Sequence, residues 1–139
     1  MHKKIVLVGG CFDILHFGHM QFLEKARQHG DYLVVALEPD ERIITSKQRQ
    51  PAHSQIERAH NLMTLKCVDQ VILLPLLNGF EDYLALVQAV NPAIIAVTSN
   101  DPQIINKQKQ ANIIGAKLIP VTDMIGTFSS SRIYQQLSE

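Results

Sequence analysis

Charge of neither sign is in excess. The 13 Lys and Arg are matched by 13 Asp and Glu, a formal net charge of zero. The chain therefore has no electrostatic footprint for non-specific nucleic-acid binding, and any phosphate chemistry has to concentrate positive charge locally. Cysteine is scarce: Cys11 and Cys67 are too few for a disulfide framework or a cysteine zinc site. No apolar run approaches the roughly 18 residues that span a bilayer, so no membrane partner is expected. No secretory leader is expected either, because Met1-His2-Lys3-Lys4 passes directly into a β-branched run. Internal repeats and low-complexity tracts are absent, and so are H-E-x-x-H and G-x-G-x-x-G, which removes the zinc-protease and dinucleotide fingerprints. A cytoplasmic enzyme forming one domain over residues 1–139 is the simplest expectation, the length being sufficient for a single core.

What is present is an alternation of apolar patterns. Lys3-Lys4-Ile5-Val6-Leu7-Val8, Tyr32 to Leu37, Val68 to Leu74, Ala93 to Val97 and Ala116 to Val121 read as buried strands. Residues 20–27, Ser54 to about Lys66, 80–90 and 103–114 carry helical spacing. Ser54 and Glu57 have capping-box spacing. Gly30 suits the position just past a helix end, Asn91-Pro92 breaks the third helix, and Gly115 ends the fourth. Residues 38–55 show little apolar periodicity: one helical turn at 41–44, then a polar loop over 46–51. Strand–helix–strand alternation predicts an α/β fold with parallel strands and right-handed crossovers, whose ligands bind at the carboxyl edge of the sheet.

One stretch concentrates the chemistry: Gly9-Gly10-Cys11-Phe12-Asp13-Ile14-Leu15-His16-Phe17-Gly18-His19. It runs from the first strand to the first helix. Free N–H groups and the dipole at a helix start favour a phosphate there. Gly9, Gly10 and Gly18 let backbone and ligand approach closely. Imidazole N–H groups of His16 and His19 can donate to phosphoryl oxygens and act on the charge that develops during transfer. Two other uses of such a pair are a metal half-site, for which no further ligand pattern exists in the chain, and structural histidines capping the helix.

His16-Phe17-Gly18-His19 matches H-x-G-H, and Gly10 to His19 matches the longer G-x-F-D-x-x-H-x-G-H form. The chain thereby resembles the cytidylyltransferase-like nucleotidyltransferases, in the form found in glycerol-3-phosphate cytidylyltransferase, the ADP-heptose synthase adenylyltransferase domain and archaeal-type FAD synthetase. The resemblance implies a Rossmann-like five-stranded parallel sheet in the order 3-2-1-4-5 with helices on both faces. It implies transfer of CMP or AMP from CTP or ATP to a small phosphorylated acceptor, such as a glycerol-3-phosphate-type compound or a sugar phosphate, with release of pyrophosphate.

The same resemblance implies roles by position. His16, His19 and Lys47 would be catalytic, Lys47 reaching the phosphates from a mobile loop. Gly9, Gly10, Cys11, Phe12, Asp13, Gly18, Arg58, Ser129, Ser130 and Ser131 would bind nucleotide, the three serines holding the β- and γ-phosphates. Mg²⁺ would be held mainly by the phosphates, with Asp13 either a candidate carboxylate or, equally, a residue that orders the loop, and no dedicated protein metal site is expected. A homodimer is the expected assembly. Two departures from the family pattern stand out. Ser99-Asn100 occupies a place where relatives often carry Gly-Asp, and no arginine occurs in Met124-Ile125-Gly126-Thr127. These leave an alternative, a nucleotide-binding regulatory module of the same fold without turnover.

Overall fold

The computed structural model describes residues 3–122. Among these residues five strands and five helices follow in the order β1 Ile5–Gly10, α1 Phe17–Arg27, β2 Tyr32–Leu37, α2 Asp40–Lys47, α3 Gln55–Met63, β3 Gln70–Leu73, α4 Gly79–Val90, β4 Ile94–Thr98, α5 Ile104–Ile114 and β5 Lys117–Thr122, so that two helices in succession join β2 to β3. All strand pairs are parallel, in the order β3-β2-β1-β4-β5. This is the order that the family resemblance implies.

The near-continuous apolar runs follow from burial on both sides. Along β1, β2 and β4, residues alternate between two cores. Val6, Val8, Leu33, Val35, Leu37, Ile94 and Ala96 pack with Phe22, Leu23 and Ala26 of α1 and Leu62 of α3. Leu7, Val34, Ala36, Ile95 and Val97 pack on the opposite face with Val87 of α4 and Ala111 of α5. Pro120 is accommodated because β5 is an edge strand, and the ladder is irregular beside it, between Val97 and Thr98.

Helix ends follow local chemistry. The Ser54–Glu57 capping box is formed, and Gly115 closes α5 at φ 75°, a left-handed conformation that glycine adopts without steric cost. Gly30 serves a different purpose from the helix stop read in the sequence. A Cβ there would lie 2.5 Å from the Lys4 carbonyl oxygen, so close backbone approach to β1 requires glycine.

Residues 38–55 depart most from their sequence reading. Asp40–Lys47 is a helix of eight residues, not a single turn before a loop. Asp40 and Glu41 lie in its first turn and Lys47 in its last, complementing the helix dipole at both ends.

β1 is paired with both β2 and β4. From β1 the chain passes to α1 on one face; from β4 it passes to α5 on the other. The carboxyl ends of β1 and β4 therefore flank the switch point where an open α/β sheet forms its crevice. The Gly9–His19 stretch stands at that point.

Candidate active site

Phe12 sets the shape of the loop. It is buried, with φ at 46°, a left-handed conformation that costs a non-glycine residue roughly 1–2 kcal/mol. Its ring lies edge-on to the His19 ring, with centroids 5.1 Å apart. A Cβ on Gly10 would come within 2.9 Å of that ring. Gly10 and Phe12 thus act together: the missing side chain makes room for the aromatic ring that supports His19.

His16 is the N-cap of α1. Its Nδ1 accepts from the backbone N–H groups of Gly18 at 3.1 Å and His19 at 3.3 Å. The amides expected to await a phosphate at this helix start are thus already engaged by the protein's own imidazole. The same geometry fixes the tautomer: with Nδ1 accepting, the proton of neutral His16 resides on Nε2. The His16 and His19 rings are stacked, 3.7 Å between centroids and 20° between planes.

Both histidines are held neutral. Burial, the His16 ring and the Lys47 charge pull the His19 pKa down to about 3, against the opposing effect of a hydrogen bond to the Ile14 backbone. Burial, then Lys47, lowers that of His16. His19 Nδ1 is buried with no hydrogen-bond partner among the described residues, a costly condition that a bound ligand can relieve. Burial raises the Cys11 pKa despite the nearby Lys47 charge, so Cys11 remains a thiol at neutral pH.

Lys47 is the final residue of α2 and is exposed, where a mobile loop was expected. Its charge is nonetheless close enough to act on Cys11, His16 and His19. Gln48 follows in the left-handed conformation at φ 53°.

Asp13 has no room for the Mg²⁺ ligation considered for it. Its side chain is fully buried. Oδ2 accepts from Arg49 Nη1 at 2.6 Å and from the Ala52 N–H at 2.9 Å, and Oδ1 accepts from the His53 N–H at 3.0 Å. Burial alone would raise its pKa, but hydrogen bonds from Ala52, Arg49 and His53 outweigh this and hold it below the ordinary carboxylate range. Asp13 therefore anchors residues 49–53 to the loop. The chemistry of its surroundings does not fit a cation, and no group of three His, Cys, Asp or Glu side chains among the described residues forms a metal cluster.

Arg58 also differs from its expected role at the phosphates. It is fully buried in α3. Nε donates to the His53 carbonyl oxygen at 3.1 Å, Nη1 to those of Cys11 and Glu38 at 2.8 Å each, and Nη2 to Asp40 Oδ1 at 2.6 Å. It is a strut joining the loop after β1, the end of β2 and the start of α2.

Across the sheet from the histidines lies a cavity of about 530 Å³ that begins at Gly9 and Gly10 and is walled by residues of α2, α4 and α5. Glu38, Arg42 and Tyr83 line it as a polar cluster. The Tyr83 hydroxyl donates to Glu38, 3.0 Å from each carboxylate oxygen, and Arg42 Nε donates to Glu38 Oε2 at 3.0 Å. Arg42 Nη2 also donates to the Leu77 carbonyl oxygen. Burial, followed by the Glu38 carboxylate, pushes the Tyr83 pKa up to about 12.

Sequence reasoning found none of these three as site residues, because the pairs 38–83 and 42–77 are joined only by the fold. For Glu38, its place at the end of a parallel strand was the available signal. Ser99-Asn100 follows β4 at the same edge. Asp101 is committed locally, bonding to Lys107 Nζ at 2.5 Å and to the Gln103 N–H at 2.7 Å. Ser129, Ser130 and Ser131, and the Met124–Thr127 stretch, lie outside the described residues.

Comparison with known proteins agrees with this fold. Residues 7–134 match the family described as cytidylyltransferase-like. The chain is similar to the FAD synthase of Thermococcus sibiricus, 37% identical over 144 residues that take in 99% of this chain and 95% of the relative. It is also similar to the bifunctional protein HldE of Geobacter metallireducens, 40% identical over 95 residues, or 67% of this chain, but spans only 18% of that relative's length. Among solved structures, the lipopolysaccharide core biosynthesis protein of Thermoplasma volcanium GSS1 superposes with a TM-score of 0.73 at 27% identity, covering 89% of this chain and all of the other.

Proposed function

The chain belongs to the cytidylyltransferase-like family of nucleotidyltransferases, and from that premise we propose that it transfers a nucleoside monophosphate from CTP or ATP to a small phosphorylated acceptor and releases pyrophosphate. The observation that carries the reading is the stacked His16–His19 pair at the sheet's switch point, capped onto α1 and within reach of the Lys47 charge.

An acceptor phosphate oxygen would form a bond to the α-phosphorus, and the bond between that phosphorus and the oxygen bridging to the β-phosphate would break, the electron pair leaving with pyrophosphate. No covalent enzyme intermediate is needed. Work of this kind is positioning plus electrostatic stabilisation. His16, with its proton on Nε2, would donate to a phosphoryl oxygen as a neutral group. Its other nitrogen is locked by the helix cap, so no reorganisation accompanies the reaction. Lys47 would supply the positive charge, and placing it on a helix end holds it more firmly than a loop would.

Asp13 and Arg58 would be positioning residues, fixing where Lys47 and the loop stand. Mg²⁺ would enter on the triphosphate oxygens rather than on Asp13. Ser129, Ser130 and Ser131 would bind the β- and γ-phosphates, as the family resemblance implies. The names FAD synthase and HldE of the similar proteins support flavin and sugar phosphates as acceptor candidates.

A pyrophosphate-release screen tests the reading: CTP or ATP, with Mg²⁺, against glycerol 3-phosphate, sugar 1-phosphates and FMN. Release that depends on one nucleotide and one acceptor is expected. Nucleotide-induced thermal stabilisation without release from any pair would instead assign the chain to a binding module without turnover.

A further inference from the structure

We infer that Arg42 is a positioning residue for Lys47: through the Leu77 carbonyl and the Glu38–Tyr83 pair it ties helix α2 to the α4 face of the sheet, and this tie keeps the lysine at the histidine pair. The inference deepens the transferase reading and rests on it.

Helix α2 cannot hold Lys47 in place unaided. It has eight residues, and isolated helices shorter than about 12 residues are marginal in water. Its N-cap is Pro39, with no side-chain cap hydrogen bond, and Ile43 is its only buried residue. At the other end Gln48 sits in the left-handed conformation at φ 53°, which carries a steric cost for a residue with a side chain. The position of α2 therefore has to come from tethers to other elements.

The tethers already described run to one side. Asp40 is held by Arg58 of α3, and α3 packs through Leu62 on the same core as α1. Arg49, just past Lys47, is paired with Asp13 of the loop. Arg42 runs to the other side. Its Nη2 donates to the carbonyl oxygen of Leu77, shortly before α4, and its Nε donates to Glu38 Oε2 at 3.0 Å. The Tyr83 hydroxyl of α4 donates to the same carboxylate, 3.0 Å from each oxygen. Helix α4 packs through Val87 on the opposite core. Helix α2 is thus braced from both faces of the sheet.

An i,i+4 ion pair on a solvated helix face contributes little. Arg42 and Glu38 are not such a pair. Their side-chain exposures are 29% and 12%, and the planar guanidinium spends two nitrogens on two separate segments, a fork that fixes direction as well as distance. Lys47 stands at the far end of the helix from Asp40. It lies about 7.5 Å beyond Arg42 along the axis, at 1.5 Å per residue. A tilt of α2 about Asp40 therefore moves the lysine further than it moves Arg42. Misplacing a reacting group by about 1 Å can cost on the order of 100-fold in rate.

Histidine titration by NMR, without nucleotide or acceptor, tests the inference, because the Lys47 charge lowers both histidine pKa values and the Arg42 charge acts on neither. Arg42→Met, its fold confirmed by circular dichroism, should reproduce most of the rise in the His16 and His19 pKa values that Lys47→Met produces. A double-mutant cycle on kcat/KM for the triphosphate gives a second readout. Arg42→Met should lower it by about tenfold or more, and in a Lys47→Met background should change it by less than about twofold. If Arg42→Met does not fold, Tyr83→Phe becomes the deciding variant. It loosens Glu38 while keeping both charges and the aromatic ring, and smaller changes in the same directions are expected.

Histidine titrations unmoved in the deciding variant overturn the inference, whatever the turnover, and the transferase reading then stands or falls on pyrophosphate release alone. Losses in kcat/KM that multiply across the cycle also overturn it, because Arg42 would then act independently of Lys47. If the histidine pKa values rise as expected but no pair of nucleotide and acceptor yields pyrophosphate from the wild type, the tie between Arg42 and Lys47 stands and the transferase reading fails.

Discussion

Asp13, in the loop between β1 and α1, forms an ion pair of 2.6 Å with Arg49, with side-chain exposures of 0% and 11%. The same carboxylate accepts the Ala52 and His53 N–H groups, so one buried charge fastens the segment that follows Lys47. Removing one partner of a buried pair leaves the other charge uncompensated, a loss of about 3–5 kcal/mol. Asp13→Asn should therefore lower stability by that order and expose residues 48–53 to limited proteolysis, both measured without ligand. Unchanged stability with a weakened Mg²⁺ dependence of activity would make Asp13 a metal ligand instead.

Arg58→Lys should be nearly as damaging as Arg58→Ala. A planar guanidinium reaches Cys11, Glu38, His53 and Asp40 together, and a single ammonium cannot reproduce that fork. Denaturant titration should show a stability loss of a few kcal/mol in both variants. A residue serving only the phosphates would give a folded Arg58→Lys protein of normal stability and a raised nucleotide KM.

Stability should fall with acid earlier than carboxylate protonation alone predicts. The folded-state pKa of His19 is pulled down to about 3 from an ordinary 6.5. Between those values the unfolded chain holds a proton that the folded chain does not, so stability is full above about pH 6.5 and declines as pH drops toward 3. His16 contributes in the same direction. Urea titrations at pH 7.5 and pH 5 should show the decline in the wild type and a smaller one in His19→Gln. Equal pH dependence in the two proteins would show that His19 is not held neutral by the fold.

Much of this architecture was legible in the chain because burial on both sheet faces leaves a plain mark. Val6-Leu7-Val8 and Leu33 to Leu37 are apolar without interruption since every one of those residues is covered. Ser54–Glu57 and Gly115 act through neighbours in sequence, so their pattern carries their function. Helix α2 is legible in the sequence only as a single turn because Ile43 is its only buried residue, and one anchor gives no periodicity. Its readable signal was Asp40-Glu41 against Lys47. The contacts of Asp13 and Arg58 were not legible because their partners come from distant segments. An arginine that organises a loop and one that binds phosphate have the same sequence appearance.

Lys47→Met should raise the pKa values of both histidines, because the lysine charge is one of the influences that lowers them. The rise should be partial, burial being the larger cause. NMR titration of the imidazole resonances checks it, and steady-state kinetics on the same variant should show impaired use of the triphosphate. Histidine titrations identical to the wild type would remove Lys47 from the site.

The central claim, that His16 and His19 act on the reacting phosphate, is tested most directly by pyrophosphate release from His16→Ala and His19→Ala under saturating nucleotide and acceptor. Losing one preorganised donor typically lowers kcat by about 10²–10³-fold, and that loss is expected in each variant while circular dichroism confirms the fold. Turnover within a few-fold of the wild type in either folded variant would contradict the account.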